Sequence, residues 1–340
     1  MGNNASDRGV VKATHVAAIE VGGTKLQIAI ARAGHPEHLE AVWRTQIQRE
    51  EGAAGILARI EEGLRELANS YDWGAIGIGF GGPISTRTGR ATTSHQVRGW
   101  DDFDLAGWCR ERWPVPLAVD NDCNVCALAE AVLGAGRGGQ RVFYATVGTG
   151  IGGGFVVKGS IDGGDRPAVA EIGHLRPGLD ATDPARTVES LASGLGMEQT
   201  LSRRIAAIPE RERPEAVKQL LALCDNDVRQ LDARLIAEAA RNGNAWALET
   251  LEQAARVLGW ALAQTTTLLA PDRIVLGGGV TSIGPSFLDP VTRWWQTYLF
   301  PPLAGSCQLV TSSLGDAVVL HGALLLVEQQ AFVESSATDR

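Results

Sequence analysis

The chain contains no run of 18 apolar residues and no block of clustered lysine and arginine. The first absence excludes an apolar membrane-spanning helix. The second speaks against nucleic acid or an anionic membrane surface as partner, because neutralising phosphates needs grouped cations. The overall balance of 31 Lys+Arg against 39 Asp+Glu, a net charge of −8, points the same way. Cysteine is scarce and odd in number: Cys109, Cys123, Cys126, Cys224 and Cys307 are scattered through 340 residues. A chain of that size needs no disulfide staples, so the five read as reduced thiols of a cytoplasmic protein. The opening MGNNASDRGVVKAT lacks the apolar stretch of a secretory signal. Gly2 to Ser6 match the myristoylation pattern, but one acyl chain without a polybasic partner anchors poorly. Residues 1–14 are therefore expected to be a flexible tail.

Glycine, by contrast, is abundant: 41 residues, about 12% against a usual 7%. The glycines are clustered rather than spaced every third residue, which excludes a collagen-like chain, and 44% hydrophobic residues exclude a disordered one. The length suggests two domains. VAAIEVGGTKLQIAIA, from Val16, reads as strand, glycine turn and strand, and RVFYATVGTGIGGGFVV, from Arg141, has the same form. Two such hairpins far apart in the chain predict a duplicated α/β architecture. Residues 15–133 form an N-terminal lobe and 134–316 a C-terminal lobe. A final helix over 317–330 is placed to cross back onto the first lobe, and 335–340 form a tail. Between the hairpins come an amphipathic helix near 53–69, a buried strand over 75–80, a polar loop, the strand PLAVD and a helix over 124–133. GAGRGGQ at 134–140 mixes glycine and charge without an apolar period and is the expected hinge. Helices over 233–240 and 245–269 and a strand over 273–280 follow.

The glycine clusters permit three readings. Gly77, Gly79 and Gly82, and again Gly148, Gly150 and Gly153, match G-x-G-x-x-G. That fingerprint binds a dinucleotide only where it opens a helix, and here Pro83 and the strand from Phe155 follow. A G-x-x-x-x-G-K-[ST] loop is absent. There remain tight hairpins whose backbone N–H groups converge on an anion: Gly22, Gly23, Thr24 and Lys25 in one, Gly148, Thr149 and Gly150 in the other. Gly277, Gly278 and Gly279, at a strand end, allow close approach of a flat ligand. That hairpins simply need glycine stays open as the alternative.

Asp120, Asn121 and Asp122 stand at a strand-to-helix junction. Asp and Asn are favoured N-caps, so a purely structural role stays open. A carboxylate at a strand's C-terminal end is also placed for chemistry. Phosphoryl transfer to a hydroxyl needs one carboxylate that orients the hydroxyl and accepts its proton late. Asp122 fits that role, and Asn121 can align the same acceptor. Cys123 and Cys126 form a C-x-x-C with no second half, which reads as small buried helix residues. Glu171 and His174, three apart, and Glu189 further on form a polar set able to match sugar hydroxyls. Unpaired buried polar groups penalise a wrong substrate.

In this order and spacing, AIEVGGTK, GIGFGGPIS, VDNDCN, VGTGIGGG, AEIGH and IVLGGGV resemble the ROK family of sugar kinases and related repressors, from about Val16 to Val327. The resemblance implies a two-lobed actin-like, hexokinase-type (ribonuclease H-like) fold and transfer of the γ-phosphoryl of ATP to a hexose with Mg2+, glucose being the favoured acceptor. By that likeness Asp122 is the general base. Gly82, Gln96, Asn121, Asp122, Glu171, His174 and Glu189 meet the sugar. Gly22 to Lys25 and Gly148 to Gly150 hold the phosphates, and Gly277 to Gly279 lie at the adenosine. Glu20 takes the place of the family's usual Asp and approaches the metal through water. Gln96 stands where the family has a sugar-contacting Asn, with His95 and Arg98 replacing prolines. The family's cysteine zinc motif is missing from HLRPGLDATDPARTVES, so no structural zinc is expected and His174 serves the sugar alone. Only about 15 residues precede the first hairpin, too few for the repressors' helix-turn-helix, and DNA binding is not expected. A homodimer is compatible with the resemblance. Polyphosphate as donor, a non-catalytic sugar sensor and a polymerising actin-like ATPase are the competing functions. The sugar-facing set has no use in the last of these.

Overall fold

The computed structural model describes residues 13–338 apart from 93–96, 167 and 180. The Gly2–Ser6 pattern and most of the expected N-terminal tail lie outside these residues, as do His95 and Gln96. The chain divides into two compact units, 1–125 with 319–340 and 126–318.

The first unit is built on β1 (His15–Val21), β2 (Lys25–Arg32), β3 (Leu39–Gln46), β4 (Trp73–Phe80) and β5 (Leu117–Asn121). Its helices are α1 (Gly52–Ala68), α2 (Leu105–Arg112) and the start of α3 (Asp122–Val132). The sheet order is β3-β2-β1-β4-β5, antiparallel through the hairpin and parallel from β1 to β5. Paired residues in a ladder project to one face, so the register sorts the side chains. Ile28, Ile19, Ile78 and Val119 form one row and pack with Ile56, Ile60 and Leu64 of α1. On the opposite face the rows are Ala29, Ala18, Gly77, Ala118 and Gln27, Glu20, Gly79, Asp120. Small residues there let a helix approach. A Cβ on Gly77 would overlap the carbonyl of Ala323, and one on Gly322 the carbonyl of Val125. Both of these latter helix glycine and alanine positions belong to α10 (Val318–Thr338), which returns to the first unit. The helix runs to Thr338, through most of the segment expected to be a tail.

The second unit repeats the pattern with β6 (Arg141–Val147), β7 (Ile151–Val157), β8 (Ser160–Ile161), β9 (Arg273–Gly277) and β10 (Gln308–Thr311) in the order β10-β9-β6-β7-β8. Its other helices are α4 (Val188–Ala192), α5 (Gly194–Ala206), α6 (Glu215–Ala222), α7 (Ala233–Arg241), α8 (Ala245–Leu269) and α9 (Pro285–Tyr298). Asn244 caps α8 by accepting from the N–H groups of Trp246 and Ala247, which is why the Asn-Gly-Asn turn separates α7 from α8. Phe143, Phe155, Ile274 and Leu276 share a core with Leu251, Leu258 and Leu262 of α8.

Two local expectations change. The strand expected over 273–280 stops at Gly277, because Gly278 takes φ +88° and a 3-10 turn, Gly279–Ile283, begins. Residues 134–140 lie inside the second unit and are tied down. The carboxylate of Glu130 accepts from the N–H of Ala135, and the guanidinium of Arg273 donates to the carbonyls of Ala135 and Arg137. The chain instead passes between units inside α3, after Val125, and at the start of α10, after Val318.

Candidate functional site

Each unit gathers part of the sequence-predicted set. In the first, the N–H of Gly22 donates to the carbonyl of Lys25 at 3.1 Å and closes the hairpin turn. Glu20, 6% exposed, faces the Nζ of Lys25 at 3.2 Å and accepts from Nε2 of Gln27 at 2.6 Å, while Arg44 donates to Gln27 in turn. A buried carboxylate needs such partners to stay charged. Half-exposed Lys25 thus neutralises Glu20 and keeps its head toward solvent.

The junction of β5 and α3 supplies the second group. Oδ1 of Asn121 accepts from the N–H groups of Cys123 and Asn124, at 2.9 and 3.4 Å, so its side chain caps α3. Its Nδ2 donates to the carbonyl of Gly82 at 3.2 Å. Asp122 accepts from the N–H of Cys123 through Oδ1 at 2.8 Å. The helix N-terminus favours its negative charge. The N–H of Gly81 donates to the carbonyl of Val21 at 2.7 Å. A methyl on Gly81 would stand 3.5 Å from both Oδ2 of Asp122 and Cα of Gly22. The first glycine turn, the Gly81–Gly82 turn, Asn121 and Asp122 therefore meet in one place.

In the second unit, the side chain of Thr187 and that of Ser190 form a capping box that starts α4 and presents Glu189. Oε2 of Glu189 accepts from the N–H of Ile151 at 2.8 Å, and a Cβ on Gly150 would run into that same oxygen. The turn is closed by the N–H of Gly148 on the carbonyl of Gly150, and the N–H of Gly194 donates to the carbonyl of Gly148 at 2.8 Å. Gly278 lies against the backbone of Val147 in a conformation that leaves no room for a side chain. Beyond Gly148 and Gly279 the side-chain direction is open. Glu171 stands immediately before the 3-10 turn Ile172–His174, its side chain making no capping hydrogen bond to it. Burial pushes its carboxyl above the usual carboxylate range, the neighbouring His174 pulls it down and Glu189 adds to the rise. Glu171 is thus within electrostatic reach of both His174 and Glu189, with Gly148, Gly150 and Gly278 at the same end of the sheet.

All five cysteines are buried, Cys123 and Cys126 among them as packing residues of α3. Among the described residues no three or more His, Cys, Asp and Glu side chains gather into a metal-binding group, and none of the helices is long and apolar enough to cross a membrane. Two residues that sequence reasoning did not place at the site are Asp120 and Asn124. Both are buried behind the Asn121–Asp122 turn, with Asn124 Nδ2 donating to Oδ1 of Asp120 at 2.8 Å. The available signal was an acid at the fourth position of a strand that is otherwise apolar until Asn121.

The ROK family model matches residues 16–330. A glucokinase from Halalkalibacterium halodurans is 31% identical over 327 residues, which cover 93% of this chain and 96% of the relative. A crystal structure of a ROK family glucokinase from Streptomyces griseus, in complex with glucose and AMPPNP, superposes with a TM-score of 0.78 at 27% identity, covering 93% of this chain and 99% of that one. An inorganic polyphosphate/ATP-glucomannokinase from Arthrobacter sp. strain KM shares the fold at 20% identity and a TM-score of 0.61, covering 93% and 99%. With these likenesses over nearly its whole length, the chain belongs to the ROK family and has the actin-like, hexokinase-type fold.

Proposed function

We propose that the protein is a sugar kinase that transfers the γ-phosphoryl group of ATP directly to a hexose hydroxyl, with glucose as the favoured acceptor and the cytoplasm as its place of work. The observation that carries this reading is the carboxylate of Asp122, presented at a helix N-terminus beside both the Gly22 turn and the Gly81–Gly82 turn. Asp122 orients the hydroxyl and takes its proton as the bond to phosphorus forms. Because the transition state is loose, positioning matters more than base strength. Glu171, His174 and Glu189 supply the donors and acceptors that hold the sugar ring. Gly82 contributes backbone, and Gln96 belongs to the same expected set. Asn121 fixes the geometry of the base by capping α3, in addition to the sugar contact that the family likeness implies.

The backbone of Gly22–Thr24 and Gly148–Gly150 suits an anionic phosphate chain, Lys25 adds a cation, and Gly277–Gly279 leave space for adenosine. For Mg2+, the donor chemistry fits a water-mediated site: one carboxylate, Glu20, already neutralised by Lys25. Mg2+ retains waters and takes phosphate oxygens in preference to an all-protein cage. When bound, the ion neutralises charge on the phosphates. The segment from His174 to Glu189 has no cysteine, so no structural zinc is proposed, and elemental analysis finding one tightly held zinc per chain overturns that part.

A coupled assay with a panel of hexoses, each offered ATP or polyphosphate with Mg2+, tests the whole. Turnover of glucose with ATP is the expected result. Turnover only with polyphosphate replaces the donor, and sugar binding without turnover of any hexose makes the protein a sensor.

A further inference from the structure

Behind the catalytic turn lies a pair of side chains that the proposed reaction does not use. Asp120 is 6% exposed and Asn124 5%. One carboxyl oxygen of Asp120, Oδ1, receives two hydrogen bonds, from the N–H of Asn121 at 2.7 Å and from Nδ2 of Asn124 at 2.8 Å. Oδ1 of Asn124, although buried, has no hydrogen-bond partner. A buried amide oxygen left unpaired is costly and requires an explanation.

The charged groups facing this pair do not solve the problem. In the sheet row Gln27, Glu20, Gly79, Asp120, the nearest acid is Glu20, which is already engaged by Lys25 and Gln27. Gly79 between them offers no side chain. On α3 the next ionisable group is Asp122, another carboxylate. Among the described ion pairs none includes Asp120, so a negative charge there would be buried without an opposite charge beside it. Burial pushes its carboxyl upward, opposed only by the hydrogen bonds from Asn124 and Asn121.

In a planar acid–amide pair, an amide that donates from nitrogen to one carboxyl oxygen accepts at its own oxygen from the hydroxyl of the other. We propose that Asp120 is a neutral carboxylic acid whose Oδ2–H donates to Oδ1 of Asn124, closing a two-bond acid–amide ring that positions the Asn121–Asp122 turn. If the amide of Asn124 were reversed, two oxygens would face each other, and the proton would again be required between them. The ring leaves Asp122 as the only anion of the turn and fixes the backbone N–H of Asn121, whose side chain caps the same helix. Asp120 and Asn124 are positioning residues, and their catalytic consequence rests on the sugar-kinase reading. The protonation state does not.

The direct test is carbon-13 NMR of the full chain labelled at aspartate carboxyl carbons, without ligands and near neutral pH. One resonance is expected in the protonated range, and it should vanish in Asp120→Asn. No protonated carboxyl in the wild type overturns the proposal. Activity supplies the second arm. Asp120→Asn substitutes an amide that can close the same ring, so kcat should stay within about threefold, whereas Asp120→Leu should lower kcat by about 10- to 100-fold with nucleotide KM within twofold. Equal loss in both variants overturns the positioning role. Should Asp120→Leu fail to fold, the resonance still decides. Unfolding adds a third readout. A folded-state acid that keeps its proton stabilises below the ordinary aspartate range and loses that contribution as pH rises. The stability of Asp120→Asn relative to wild type should therefore increase with pH, and a flat difference speaks against the ring. If no hexose is phosphorylated at all, the NMR and unfolding arms remain readable.

Discussion

The two sheets are one topology used twice, yet they put their acids in different places. Read from the hairpin outward, β3-β2-β1-β4-β5 corresponds to β8-β7-β6-β9-β10. In the first unit the carboxylate proposed as the base follows the outermost parallel strand, where β5 runs straight into α3 with Asp122 at its first position. In the second the matching strand, β10, ends at Thr311 and leads into residues whose polar groups are already taken. The hydroxyl of Ser312 and the N–H groups of Ser313 and Leu314 all donate to Glu130. There the acids come from the segment after the hairpin, Glu171 and Glu189. A duplicated scaffold thus fixes where strand ends lie, while the connections decide which end carries the proposed proton acceptor and which the proposed binding surface.

The largest expected effect tests the first of these assignments. Asp122→Asn keeps the size and can still accept from the N–H of Cys123, but it cannot take the hydroxyl proton. Its kcat should fall by about 10²- to 10⁴-fold while sugar affinity by calorimetry stays nearly unchanged. Retained turnover would remove Asp122 from the mechanism and move the chemistry away from the β5 end.

Glycine sharpens the contrast further, since the two units use it both for packing and for open turns. Gly77→Ala places a methyl onto the carbonyl of Ala323 in α10. Overpacking of this kind costs about 1–3 kcal/mol or more, so a clear drop in thermal midpoint is expected. Gly148 has nothing within 4 Å in the side-chain direction. Gly148→Ala should leave the midpoint within a degree or so and weaken nucleotide binding instead. A stable Gly77→Ala would mean that α10 tolerates displacement from the sheet.

This pair of glycines also marks the boundary of what the sequence could reveal. The hairpins from Val16 and Arg141, the helices α1, α7 and α8 and the order of the motifs were readable, because apolar periodicity and turn residues are local signals. Gly77 falls in a weak match to a dinucleotide loop, and only the return of α10, with Ala323 lying 246 residues further along the chain, explains it as packing. The same holds for 134–140, whose glycines suggested a hinge until Glu130 and Arg273 were seen to hold it. Short elements with partial exposure, such as β3 and β10, carry too little pattern to be recognised. At the candidate site, Asp122 and Glu189 were legible as candidates by residue type and position. The bond from Glu189 to Ile151 and the partnership of Asp120 with Asn124 needed coordinates.

That bond from Glu189 gives the next prediction. Glu189→Gln retains an oxygen for the N–H of Ile151, whereas Glu189→Ala leaves it unpaired, a loss of about 1–3 kcal/mol for a buried donor. Both variants should weaken sugar binding, by about 10-fold or more where a charged hydrogen bond is lost, but only Glu189→Ala should lower the unfolding midpoint. If Glu189→Gln binds sugar normally, Glu189 is a brace for the hairpin and the sugar surface of the second unit must be redrawn.

The smallest effect concerns the proton on Glu171. Its carboxyl lies above the ordinary glutamate value of 4.5, chiefly because it is buried and further because Glu189 is near, with His174 opposing. A raised folded-state value means that the folded chain binds the proton more readily than the unfolded one. The associated stability is present below the ordinary value and is lost as pH rises through the folded one. Glu171→Gln removes the titrating group, so its midpoint relative to wild type should climb over that window and then level off. A sugar hydroxyl donating to Glu171 would favour the charged form and drive the proton off. Glucose binding measured calorimetrically in two buffers of different ionisation enthalpy, within that window, should therefore release protons in the wild type and release fewer in Glu171→Gln. Identical proton release in the two proteins would remove Glu171 from the sugar site and assign the sugar to Glu189 and His174.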